Sequence, residues 1–163
     1  MPKTSAATVR RHIWGSRCFP VDPVWIANEM GLSVVETALD SSVSGALLKA
    51  PEQDPVIILN QNDSKARKRF ACAHQLGRYI THTDGGCPLE YEYIDYRGYV
   101  AGGADNLESM HTGSFAADLL MPESEVARLA HAGYSPVMMA LYFGVSDDAI
   151  NDRLSMMHRD YLY

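Results

Sequence analysis

Between residues 64 and 81 the chain places Phe70, Ala73, His74, Gly77, Arg78 and Thr81 three or four positions apart, on one face of a helix. This is the clearest helical signal in the sequence. A shorter one runs through Val24, Ile26, Ala27 and Met30, with Asp22 as N-cap, Pro23 at the first helical position and Gly31 as the stop. A helix over residues 4–16 is expected before it, closed off by Pro20-Val21-Asp22-Pro23. The β-branched run 32–37 and the stretches 43–48 and 55–59 read as strands, the last two flanking a turn-rich segment at 50–54. Residues 89–100, rich in tyrosine, read partly as strand and partly as loop. Four helices follow: 107–121, stopped by Pro122; one from Pro122 through Ala130; one from Ser135-Pro136 to Gly144; and a last one capped by Ser146, with Asp147 and Asp148 in its first turn.

No repeat and no Gly/Ser-rich linker divides the 163 residues, so one domain over 1–163 is expected, with a hydrophobic fraction of 47% sufficient for a core without disulfides. Cys18, Cys72 and Cys87 form no CxxC pair, which argues against a thiolate metal site or a disulfide framework. The net charge of −6 excludes binding to nucleic acid through bulk positive charge. With no apolar run of membrane-spanning or signal-peptide length, a soluble cytoplasmic protein is expected.

The chemistry concentrates around His74. Zinc peptidases carry His-Glu-x-x-His on a helix, where two imidazoles four residues apart hold the metal and the Glu activates the bound water. Here the same frame reads His74-Gln75-Leu76-Gly77-Arg78. Gln75 is a neutral amide and takes no proton from water. Arg78 is a permanent cation where a ligand would stand.

The surrounding stretches extend this partial match. Pro20-Val21-Asp22-Pro23, Met30-Gly31-Leu32-Ser33-Val34, Ser44-Gly45-Ala46-Leu47-Leu48, Val56-Ile57-Ile58-Leu59-Asn60, the helix from Ala66 to His82, Phe115-Ala116-Ala117-Asp118-Leu119-Leu120-Met121-Pro122 and Phe143-Gly144-Val145-Ser146 follow one another in order. Together, over residues 20–155, they resemble the ImmA/IrrE family of small bacterial and phage zinc peptidases. The resemblance implies an α+β, zincin-like domain: a small, mostly antiparallel sheet packed on helices, with a helical C-terminal part. It also implies the positions of the chemistry. The first metal ligand falls on His74, the general base on Gln75, the second ligand on Arg78, and the third ligand, six residues before Phe115, on Ser109. Three of the four are substituted. Glu108 and His111 flank Ser109 but are rotated by about 100° per residue on a helix and are expected to point elsewhere. A rescued metal site would draw on His74 and His111 with His82, Glu108 or Cys72. No zinc or other cofactor is expected, and Arg78 is expected to fill the vacated position by pairing with a carboxylate or by hydrogen bonds to Gln75 and Ser109.

Active members of the family cleave helix-turn-helix repressors. The resemblance therefore implies a catalytically inactive protein that binds such a repressor, or a toxin–antitoxin partner, without cutting it. The acidic balance suits a basic partner. Arg67 and Lys68, in the basic run 65–69, and Tyr91, Tyr93 and Tyr96 are the candidate partner-binding residues, the tyrosines as exposed contact area bordering the cleft. Two alternatives remain: a metallopeptidase with a relocated site, and a DNA-binding module built on the helix-turn-helix-like pair 136–154. Against the second, its last helix offers Asp147, Asp148 and Asp152 with Arg153 alone as a cation.

Overall fold

A computed structural model describes residues 4–86, 90–97 and 104–160. Helix α1 (Ala6–Val9) is capped by the Ser5 hydroxyl and runs on as a π-turn over Arg10–Trp14, which Gly15 ends at φ 68°. The helix expected over 4–16 is therefore one α turn followed by a wider coil. Helix α2 (Pro23–Glu29) starts as its sequence predicts, with the Asp22 carboxylate accepting from the amides of Val24 and Trp25 at 3.0 and 3.2 Å.

Strands β1 (Ser33–Thr37), β2 (Val43–Lys49), β3 (Val56–Asn60) and β4 (Tyr91–Tyr96) form one sheet in the order β1-β3-β2-β4. β2 is antiparallel to both β3 and β4, and β1 is parallel to β3. The register aligns Val34, Ile57, Leu47 and Tyr93 in one row across the sheet. Leu47, Ile57 and Leu59 are buried in the core with Ala73, Leu76 and Ile80 of helix α3 (Lys65–Asp84). Full burial of each such leucine or isoleucine contributes about 1.5–3 kcal/mol, which holds α3 across the sheet.

Helix α4 (Ala104–Leu120) lies against α3, with Phe115 packed directly on Gly77. A β-carbon there would stand 2.9 Å from Phe115 Cδ1, so only glycine lets the two helices close to this distance. Helices α5 (Glu123–His131), α6 (Pro136–Phe143) and α7 (Asp147–Asp160) complete the chain and bury Val126, Leu129, Met139, Phe143 and Ile150. Gly144 closes α6 in the left-handed region at φ 65°, and its carbonyl accepts from Arg69 Nε of α3 at 2.9 Å. No described helix is long and apolar enough to cross a membrane.

Candidate functional site

The contact between α3, α4 and β4 encloses a cluster of polar side chains. His74, Arg78 and His82 stand one turn apart on α3 and face β4 and the first half of α4. Arg78 Nη2 donates to Asp95 Oδ1 of β4 at 2.6 Å, and its Nη1 lies 3.5 Å from Glu108 Oε1 of α4. Gln75, 1% exposed, donates from its amide to the other Asp95 oxygen at 2.5 Å. Asp95 is thus held by two donors from one helix. His82 Nε2 is 3.2 Å from Glu108 Oε1, and its ring stacks on Tyr93 at 4.5 Å between centroids. The Arg78 guanidinium also lies over the Tyr93 ring, 5.0 Å from its centre.

His74 sits deepest. Its Nε2 is 2.9 Å from the Thr112 hydroxyl and 3.4 Å from Asp95 Oδ2. The hydroxyl donates to the Glu108 carbonyl at 3.0 Å. With the hydroxyl so engaged, Nε2 faces two oxygens able to accept a proton from it. Burial holds the His74 pKa below its ordinary value, and Arg78 adds to the lowering, against the opposing pull of Asp95 and Glu108. Burial and Glu108 push the Tyr93 phenol up.

Beside this cluster, between the first half of α3 and the start of α7, a cleft of about 560 Å³ opens to solvent. His74 and Asp95 line it, together with Ser44, Arg67, Arg97 and Asp148 among others.

The sequence profile of the IrrE N-terminal-like domain of peptidase family M78 matches residues 27–155. The chain belongs to this family. It is 23% identical over 124 residues to immunity region protein 2 of Bacillus phage phi105, an alignment that covers 76% of this chain and 73% of the phage protein. A solved structure, a Mycobacterium tuberculosis transcriptional regulator, superposes with a TM-score of 0.59 at 18% identity and covers 92% of this chain. The present chain spans 46% of that regulator's length. The IrrE-like, mixed α+β fold expected from the sequence is the fold observed.

Within this IrrE-type domain the positions named from sequence separate. His74, Gln75 and Arg78 converge on one centre. Ser109 lies on α4, but its side chain is outside the described residues, as is Cys87. Glu108 corrects the expectation that it would point away. Glu108, Thr112, Phe115, Ala116 and Leu119 recur every three or four residues and form the face of α4 turned to α3, which brings Glu108 to Arg78 and His82. His111 is exposed and does not join His74. Cys72 is buried in the core, where desolvation pushes its thiol up to about 12, so it stays protonated and packs as an apolar group. Among the described residues, no three His, Cys, Asp or Glu side chains are grouped to hold a metal ion.

Tyr91 and Tyr93 are a second correction. Alternation along β4 turns both inward onto His82, at 5.9 and 4.5 Å between ring centroids, so neither is the open contact surface expected of it. Tyr96 is on the opposite face, 51% exposed. The basic run is divided in the same way. Arg67 is exposed, whereas Lys68 pairs with Glu36 at 2.6 Å. Asp95 is a site residue that the sequence analysis does not single out. The period-two spacing Tyr91, Tyr93, Asp95 was the signal that put it on the inner face. In the C-terminal pair, Arg153 is bound to Asp118 Oδ1 at 2.6 Å and to the Met121 carbonyl at 3.1 Å, so this cation is tied to α4 and its end rather than free for a phosphate contact.

Proposed function

We propose that this chain is a non-cleaving regulator that acts by gripping a protein partner, a helix-turn-helix repressor or a comparable DNA-binding regulator, on an IrrE-type scaffold. The observation that carries the reading is the Arg78–Asp95 ion pair at 2.6 Å, one turn from His74. A guanidinium cannot lose its charge at working pH. It repels a divalent cation at this range, and it already engages the carboxylates that would attract one.

The donor set does not fit zinc. Zinc sites need deprotonated nitrogen, sulfur or oxygen ligands in a tetrahedral set, and here His74 Nε2 already engages the Thr112 hydroxyl and Asp95. Gln75, at the general-base position, donates rather than accepts. Support for a regulatory setting comes from relatives: one belongs to a phage immunity region and the structural neighbour is a transcriptional regulator.

The test combines metal content with the fate of the partner. The purified chain is expected to retain no stoichiometric zinc after dialysis against the metal. It should also form a complex with a helix-turn-helix repressor from its own host whose two intact masses are unchanged after prolonged incubation. Stoichiometric zinc that disappears in His74→Ala, or a shortened repressor, would overturn the reading. The triple change Gln75→Glu, Arg78→His, Ser109→Glu is expected to restore zinc binding, because it returns three ligands and a base to the frame.

A further inference from the structure

We propose that the cleft between α3 and α7 receives an arginine or lysine side chain of the protein partner, an assignment that rests on the reading of this chain as a partner-binding regulator. At about 560 Å³ the cleft has the volume of a ligand site. Phe70 and Ala71 of α3, with Val145 and Ala149 on the other side, give it apolar walls that suit the aliphatic stem of a long basic side chain.

Its charge selects the head group. Asp148 and Asp152 stand one turn apart on α7, line the cleft, are exposed, and form no ion pair among the described residues. Like charges at this helical spacing repel one another, so the isolated fold gains nothing from the pair, whereas an incoming cation bridges it. Deeper in, the Asp63 side chain is 5% exposed. One of its oxygens accepts from Arg97 and the other, Oδ2, has no hydrogen-bond partner. Asp63 is thus balanced by Arg97, which also lines the cleft, and leaves Asp148 and Asp152 as the cleft's unpaired acids among the described residues. An anion is disfavoured at the same place, because Asp147 and Asp148 already occupy the first turn of α7, where a helix would otherwise attract negative charge. Arg67, on the α3 side, is exposed and pairs with neither aspartate, which leaves it free to meet a carbonyl or carboxylate of the same segment.

The probes are two blocked peptides, acetyl-Leu-Arg-Leu-amide and acetyl-Leu-Glu-Leu-amide, titrated into the ¹⁵N-labelled full chain and followed by amide shifts. The arginine peptide is expected to shift the amides of Val145, Asp148, Ala149 and Asp152, with an affinity at least about tenfold above that of the glutamate peptide. Asp148→Asn/Asp152→Asn is expected to lower the arginine peptide's affinity by about fivefold or more. Asp147→Asn, outside the cleft, should leave it unchanged, and melting curves check that both variants fold. Equal binding of the two peptides, shifts centred elsewhere, no shifts, or indifference to the double substitution overturns the assignment. A chain that fails these titrations yet still captures the repressor retains its regulatory function but loses the cleft. A chain that passes them and captures no repressor keeps the cleft but loses the regulatory reading.

Discussion

Two arginines on α3, nine residues apart, tie that helix to the rest of the molecule in opposite ways. Arg69 reaches the carbonyls of Val21, Phe143 and Gly144 at 2.5, 3.2 and 2.9 Å and so joins α2, α3 and α6. Arg78 reaches the carboxylates of Asp95 and Glu108 and joins α3 to β4 and α4. The first cation binds only neutral oxygens, and burial lowers its pKa without removing its charge. The second is balanced by formal charges. Arg69 holds chain ends together and needs no particular chemistry around it. Arg78 completes a charge cluster at a position where the sequence resemblance would place a metal ligand, so the same residue type ties backbone at one end of the helix and balances carboxylates at the other.

The largest effect expected from breaking this contrast is at Arg69. Arg69→Met strands three carbonyls at the junction of α2, α3 and α6, and the loss of charge-assisted hydrogen bonds there should cost about 3 kcal/mol. Arg69→Lys should recover only a small part, because an ammonium cannot reproduce the planar fork. Chemical denaturation gives both numbers, and a loss under about 1 kcal/mol would show that the carbonyls find other partners.

The sequence made much of this readable because the fold depends on local signals. Asp22 and Pro23 cap α2 as their spacing requires, Ser135 and Gly144 bound α6, and the apolar period places α3. His74, Gln75 and Arg78 were legible as a site because they share one helical turn. Asp95 and Glu108 were not, since their roles come from the sheet register and from the α3–α4 packing at Gly77, both of which are long-range. Tyr93 shows the same limit. Its identity suggested an exposed contact, but strand parity alone decides which way it faces.

A smaller effect is expected at the other arginine. Arg78→Met leaves Asp95 and Glu108 without their cation. Removing one partner of a fully buried ion pair costs about 3–5 kcal/mol. Here the carboxylate side chains are 19% and 28% exposed, so water takes up part of the loss and about 2 kcal/mol is expected. A double-mutant cycle with Asp95→Asn isolates the pair. A coupling of about 1–2 kcal/mol marks Arg78 as the tie between α3 and β4. A coupling near zero would assign the loss to the Arg78 stem packed on Tyr93 instead.

The smallest effect separates the two ends of α3 by pH. Burial lowers the His74 pKa in the folded chain, and the positive charge of Arg78 lowers it further. In the unfolded chain an imidazole titrates near 6.5. Between the folded and unfolded values the unfolded state binds a proton that the native state does not, so stability rises with pH across that window. The contribution is complete above about pH 6.5 and is lost as the pH falls toward the folded value. Denaturation midpoints compared between about pH 5 and about pH 7.5 should therefore climb, and the climb should shrink in His74→Gln. Arg78→Met should also shrink it, because removing the cation lets Asp95 and Glu108 draw the ring back toward its charged form. Arg69→Met should lower every midpoint and leave the slope alone. A wild-type profile that is flat or falls with rising pH, or an Arg69 variant that changes the slope as much as the Arg78 variant, would erase the distinction between a scaffold arginine and one that sets the charge of the site.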